Sequence, residues 1–218
     1  MKCIHCQLDE CIKKGIRNYQ QRYLCKACGC SFQSEYTYNA YRVATNQKII
    51  VLLKESCGIR SIARILKIST KTVLSRMLKI SKTLHPRPFF NLGCKFEVDE
   101  IWTFTHSKKN VIWITYALDR ESKAIIDFIV GGKSKLLIRP LIDKLLLLKP
   151  SKIYTDKLNI YPSLIPKSLH SNYNKCTNKI ERMNLTLRTH IKRLQRRTIC
   201  FSKKREYLEA HLRIYFWA

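Results

Sequence analysis

Two cysteine pairs, Cys3-x2-Cys6 and Cys25-x2-Cys28, separated by eighteen residues, constrain the first thirty residues of this chain more tightly than any hydrophobic pattern. Each pair makes a tight knuckle offering two sulfurs, and two knuckles close a tetrahedron of thiolates on one structural zinc ion. A segment with so few apolar side chains has no core to fold on, so the bound metal supplies its folding free energy. Cys11, Cys30 and His5 are nearby alternative ligands. No apolar signal segment opens the chain, and in a reducing compartment its ten cysteines favour metal over disulfides.

Charge decides the partner. Forty-two Lys and Arg against fifteen Asp and Glu give a formal net charge of +27, which repels itself unless a polyanion neutralises it. Nucleic acid is the commonest polyanion to do so, with a gain from counterion release. A membrane does not fit: the most apolar run, Leu136 to Leu148, is broken by Arg139, Pro140, Asp143 and Lys144, and a span needs about 20 mostly uncharged residues.

From Asn46 the apolar spacing becomes helical. Ile49, Ile50, Leu52 and Leu53 mark a first helix ending near Cys57-Gly58, Ile59 to Leu66 a second, and Thr70 to Lys82 a third. Ser69 is placed to cap the third helix, whose inward residues are Val73, Met77 and Ile80. The pattern predicts a helix-turn-helix with Thr70, Lys71, Thr72, Ser75, Arg76 and Lys79 facing a major groove. No carboxylate occurs from Ser56 to His85, unlike an ordinary solvated helix face. The organisation expected is a zinc-ribbon module over 1–45, the helix-turn-helix over 46–82, a Pro-containing linker over 83–94 and a larger domain over 95–218.

That larger domain opens with three strand patterns, Lys95 to Phe104, Val111 to Leu118 and Ala124 to Val130, read as an antiparallel meander. An apolar helix over Lys135 to Leu148 precedes a short strand, Lys152 to Asp156. A right-handed crossover lays that strand parallel to the first, which brings Asp99 and Asp156 together at one sheet edge. A helix expected from Asn178 to Arg197 carries an apolar stripe and, about 100° around it, a second stripe of Glu181, Asn184, Arg188, Lys192 and Gln195. Two aspartates and a glutamate on three elements of so basic a chain make a hard-oxygen site for Mg²⁺ or Mn²⁺. Two such ions about 4 Å apart serve phosphodiester displacement. Among the other acids, Glu97 and Glu100 flank Asp99, Asp119 and Glu121 belong to a turn, Asp127 lies in a strand and Asp143 on a solvated helix face. Glu100 and Asp119 are the alternates for a place in the set.

These residues resemble a known family, the transposases of the insertion sequence one family, whose catalytic core is RNase H-like and of the type with two aspartates and a glutamate. The resemblance runs nearly end to end, through Tyr23-Leu-Cys25, Gln47-Lys-Ile-Ile50, Asp99-Glu-Ile-Trp102, Thr155-Asp156, Ile180-Glu-Arg-Met-Asn-Leu-Thr-Leu-Arg188 and Phe201-Ser-Lys203. It implies an α/β fold, an RNase H-like mixed sheet with flanking helices, preceded by the zinc ribbon and helix-turn-helix. It implies that Asp99, Asp156 and Glu181 bind two Mg²⁺ ions, that Arg188 positions the transposon end, with Lys192 continuing that basic line, and that Trp102 supports the first acid. Lys157 departs from the family pattern, which often has Gly there. The function implied is cleavage and joining of DNA at terminal inverted repeats by a homodimer or larger assembly, in the bacterial cytoplasm at the nucleoid. A DNA-binding regulator without chemistry, or a nuclease that cuts without joining, are the competing readings.

Overall fold

The computed structural model describes residues 1–17, 19–33, 38–173 and 176–218. Three strands, β1 (Cys11–Arg17), β2 (Gln20–Cys25) and β3 (Ser31–Gln33), form an antiparallel sheet in that order. Its small core is Cys3, Cys25 and Phe32, with Cys6, Cys11 and Tyr23 packed beside them. This is the zinc ribbon expected. Residues 34–37 of the same stretch lie outside those described.

Three helices follow: α1 (Thr45–Lys54), α2 (Ile59–Leu66) and α3 (Thr70–Thr83). Between α2 and α3, Lys67 takes a left-handed conformation (φ 52°), its N–H bonding the last carbonyls of α2, and Ser69 Oγ accepts the Thr72 N–H at 3.0 Å. The turn is closed by Ile68, buried with Ile49, Leu53, Ile62, Val73 and Met77. A helix-turn-helix results.

The central sheet runs β6 (Ile125–Gly131), β5 (Val111–Asp119), β4 (Lys95–Phe104), β7 (Lys152–Thr155), β8 (His170–Ser171). β4, β5 and β6 are antiparallel, and β7 and β8 are parallel to β4, the mixed sheet of an RNase H-like core. β8 was not anticipated from sequence. The crossover helix α4 (Lys135–Leu147) is capped by Ser134 and continues through Pro140, which lies in its second turn and forgoes one intrahelical hydrogen bond. It buries Ile138, Leu141, Ile142 and Leu145 against Phe96, Val98 and Ile153 on one face of the sheet.

The opposite face is covered by α5 (Asn178–His190) and α6 (Arg205–Trp217). α5 is shorter than its periodicity predicts. The backbone turns extended at Ile191 (φ −103°, ψ 97°), so that Ile191 and Leu194 both enter the core, and Arg188 holds the Leu194 carbonyl at 2.9 Å. α6 serves two cores at once: Leu208 and Leu212 face the sheet, while Ala210 and Ile214 pack among α1, α2 and α3. The helix-turn-helix is thereby fastened to the sheet layer by a helix some 130 residues further along the chain. Among the described residues no helix is long and apolar enough to cross a membrane.

Candidate functional site

In the ribbon, the sulfurs of Cys3, Cys6, Cys25 and Cys28 all lie within 4.8 Å of one another, with Cys3–Cys28 and Cys6–Cys25 each at 3.6 Å. The two turns do this by folding residues 3–6 back onto the end of β2. The Cys6 N–H holds the Cys3 thiol well below its usual range, at about 6, so a thiolate forms there readily. Four soft donors at this spacing fit tetrahedral zinc. Cys11, Cys30 and His5 stand outside the group.

The outward residues of α3 divide into two sets. Thr70, Lys71, Ser75 and Lys79 are exposed. Thr72 and Arg76 are engaged within the chain: the Thr72 hydroxyl is 2.9 Å from the Tyr38 hydroxyl and 2.8 Å from Ser69 Oγ, and the Arg76 guanidinium donates to Ala40 O at 3.0 Å and Asn46 Oδ1 at 3.3 Å.

The acids gather at the end of β7. β4 and β7 pair in parallel with Val98 opposite Thr155, so the next residue of each, Asp99 and Asp156, sit side by side at the sheet edge. Asp99 Oδ1 accepts the Glu100 N–H at 2.7 Å and its Oδ2 accepts Asn184 Nδ2 at 2.6 Å. Burial pushes the Asp99 carboxyl up to about 6 against the pull of these hydrogen bonds. Asp156 Oδ1 accepts the Leu158 N–H at 3.0 Å, and the preceding Thr155 hydroxyl lies 2.8 Å from His170 Nε2 on β8. The third carboxylate whose oxygen falls within 4.8 Å of both is Glu100. Hard carboxylate oxygens converging in so basic a chain are a donor set suited to Mg²⁺ or Mn²⁺.

Glu181 stands in the first turn of α5, exposed, its Oε1 accepting the Thr177 hydroxyl at 3.1 Å. It precedes Asn184 by three residues, so it occupies the same helix face one turn from the Asp99 contact. Arg188, a further turn along, is half-buried and donates to the carbonyls of Leu194 (2.9 Å) and Trp102 (3.4 Å). Lys192 is exposed beyond the helix end, and the half-buried Trp102 ring lies 5.8 Å from that of Phe104.

The role of Glu97 is not legible in the sequence. It is fully buried, accepts the Ile180 N–H at 2.7 Å and pairs with Arg120 at 3.1 Å, so a strand acid anchors the otherwise uncapped start of the Glu181 helix. Only its place on the α5 face of β4, shared with Asp99, hinted at this. Asp119 binds the Ser122 N–H in its turn, Asp127 pairs with Lys144 at 2.6 Å, and Asp143 is exposed.

A family model described as IS1 transposase matches residues 92–216, more than half of the chain. The insertion element iso-IS1n protein InsB of Shigella dysenteriae is 36% identical over 113 residues, covering 52% of this chain and 86% of that protein. The insertion element IS1 protein InsB of Shigella flexneri is 32% identical over 110 residues, covering 50% and 84%. The IS1 9 protein InsB of Escherichia coli K12 is 30% identical over 138 residues, covering 62% and 81%. With the matched stretch spanning the sheet, α5 and most of α6, the chain belongs to the IS1 transposase family.

Proposed function

We propose that this insertion-element transposase cuts DNA at the element's terminal inverted repeats and joins the freed 3′ ends to target DNA, with Asp99, Asp156 and Glu181 as the metal-binding acids. The observation that carries the reading is the adjacency of Asp99 and Asp156 across the β4–β7 register, with the Glu181 helix fastened to the same edge by Asn184 and Glu97. Asp99, Asp156 and Glu181 would hold divalent ions, whose chemistry there would be to lower the barrier to deprotonating the attacking oxygen and to stabilise charge on the leaving one.

The chain's own residues account for the rest. Asn184 and the Glu100 N–H fix both oxygens of Asp99, so its carboxylate is oriented before DNA arrives. In the first step a water oxygen attacks the phosphorus at the element's end, the bond to the 3′ oxygen breaks, and that oxygen leaves as a hydroxyl. In the second step this 3′-hydroxyl attacks a target phosphorus and displaces the target's own 3′ oxygen, without a covalent enzyme intermediate. Lys71 and Lys79 on α3, with Lys192, Arg196 and Arg197 beyond α5, carry DNA phosphates on exposed cations. Zinc in the four-cysteine site holds the ribbon folded. Two ends are handled together, so the working form is a dimer or larger assembly.

A duplex carrying one element end and flanking DNA tests this. With Mg²⁺ the protein should nick at the end, and alanine at Asp99, Asp156 or Glu181 should remove nicking while end binding persists. Nicking retained by any one of the three contradicts the assignment.

A further inference from the structure

Glu100 is placed unlike an ordinary buried glutamate. Consecutive strand residues point to opposite faces of a sheet, and Glu100 accordingly reaches the α4 side, where the Tyr161 hydroxyl donates to its Oε1. Yet one of its oxygens still comes within 4.8 Å of carboxylate oxygens of both Asp99 and Asp156. The residue is 8% exposed, and its Oε2 receives no hydrogen bond of good geometry among the described residues. What faces that oxygen is a cation, the Lys133 ammonium at 3.2 Å, which rests 3.7 Å from the centre of the Trp113 ring. Three carboxylates this close repel one another, and one ammonium offsets only part of their charge.

We propose that Glu100 is a further ligand of the ion bound by Asp99 and Asp156, and that Lys133 is a counter-cation which the ion displaces from it. The inference rests on the reading of this edge as a divalent-ion centre. Tyr161 holds the carboxylate through its Oε1, and the Trp113 ring, which the ammonium already contacts, retains it when an ion takes the carboxylate. The centre then has a rigid set of three acids at the sheet edge, and the exposed Glu181 completes it from the helix.

A purely structural Glu100–Lys133 pair and a ligand with its counter-cation respond differently to substitution. Free Mn²⁺ can be counted by electron paramagnetic resonance as it is titrated into zinc-loaded full-length protein. Glu100→Gln should weaken Mn²⁺ binding on the order of tenfold. Lys133→Met removes the competing positive charge and should tighten binding several-fold. Unchanged or weaker binding by Lys133→Met overturns the proposal, and this variant serves the test even where Glu100→Gln fails to fold. Unchanged binding by Glu100→Gln alongside weakened binding by Asp99→Asn also overturns it, with the ion centre left standing. Unchanged binding by both removes the ion centre itself.

Discussion

Asp99 stabilises the folded chain less than an amide would in its place, and the size of that deficit follows from its surroundings. Its carboxyl is moved from 3.8 to about 6, burial being the largest cause and the neighbouring Glu100 and Asp156 charges adding to it. At about 1.4 kcal/mol per pH unit, ionising Asp99 in the folded state costs roughly 3 kcal/mol more than in the unfolded chain. The sign follows from proton binding. Between 3.8 and 6 the folded state holds the proton more tightly, so stability is greatest below that window and is lost as pH rises through it. Asp99→Asn removes the titration. It also turns an amide N–H toward one of two donors, the Glu100 N–H or Asn184 Nδ2, which costs about 1 kcal/mol. The variant should therefore be more stable than the parent by about 2 kcal/mol at pH 7.5, a rise of roughly 4–8 °C in melting temperature for a chain of this length, and slightly less stable at pH 4. Melting followed by circular dichroism in magnesium-free buffer without chelator measures the difference. Adding Mg²⁺ should raise the parent's melting temperature and leave the variant's unchanged. A pH-independent difference, or a less stable variant at pH 7.5, rules out a buried Asp99 that is costly to ionise.

Glu97→Ala should cost about 3 kcal/mol in urea unfolding, because it frees the start of α5 and leaves Arg120 without its partner; a loss under about 1 kcal/mol contradicts the anchoring role. His211, buried on α6 beside the Leu53 carbonyl, is held to about 3 by burial, so its neutral form contributes stability that is present above 6.5 and lost as pH falls toward 3. His211→Leu should flatten the acid limb of the stability curve between about pH 6 and 4, and an unchanged limb counts against the buried neutral imidazole. Metal analysis should find about one zinc per chain, and Cys25→Ser should unfold the ribbon while the RNase H-like sheet keeps its far-ultraviolet signal.

Local signals carried the sequence reading where the structure is local. The knuckle spacing located the four sulfurs, and the Ser69 cap with its flanking apolar periods located the helix-turn-helix. The strand-helix-strand pattern gave the parallel pairing that sets Asp99 beside Asp156. What escaped depends on contacts between distant segments. Periodicity carried α5 past Ile191, because an apolar stripe does not reveal that Arg188 and the core together pull residues 191–194 out of the helix. Thr72 and Arg76 look like free outward positions on a helical wheel, whereas Tyr38, Ala40 and Asn46 engage them from a segment more than two dozen residues away. α6 has apolar residues on more than one side, and its part in two cores appears only when both are assembled. Glu97 lies two residues before Asp99 and Glu100 one after it, so the pleat sends Glu97 toward α5 and Glu100 toward Tyr161, but only the assembled contacts show one as an anchor and the other as a member of the acid cluster.

Strand transfer from an end that is already cut tests the three-acid centre without the cleavage step. A duplex bearing the terminal repeat with a free 3′-hydroxyl is mixed with the protein, Mg²⁺ and a supercoiled plasmid, and covalent joining is scored. Mg²⁺-dependent joins are expected, and Asp99→Ala, Asp156→Ala and Glu181→Ala should each abolish them. Plasmid cleavage without joining, or joining that survives any of these substitutions, contradicts the proposed function.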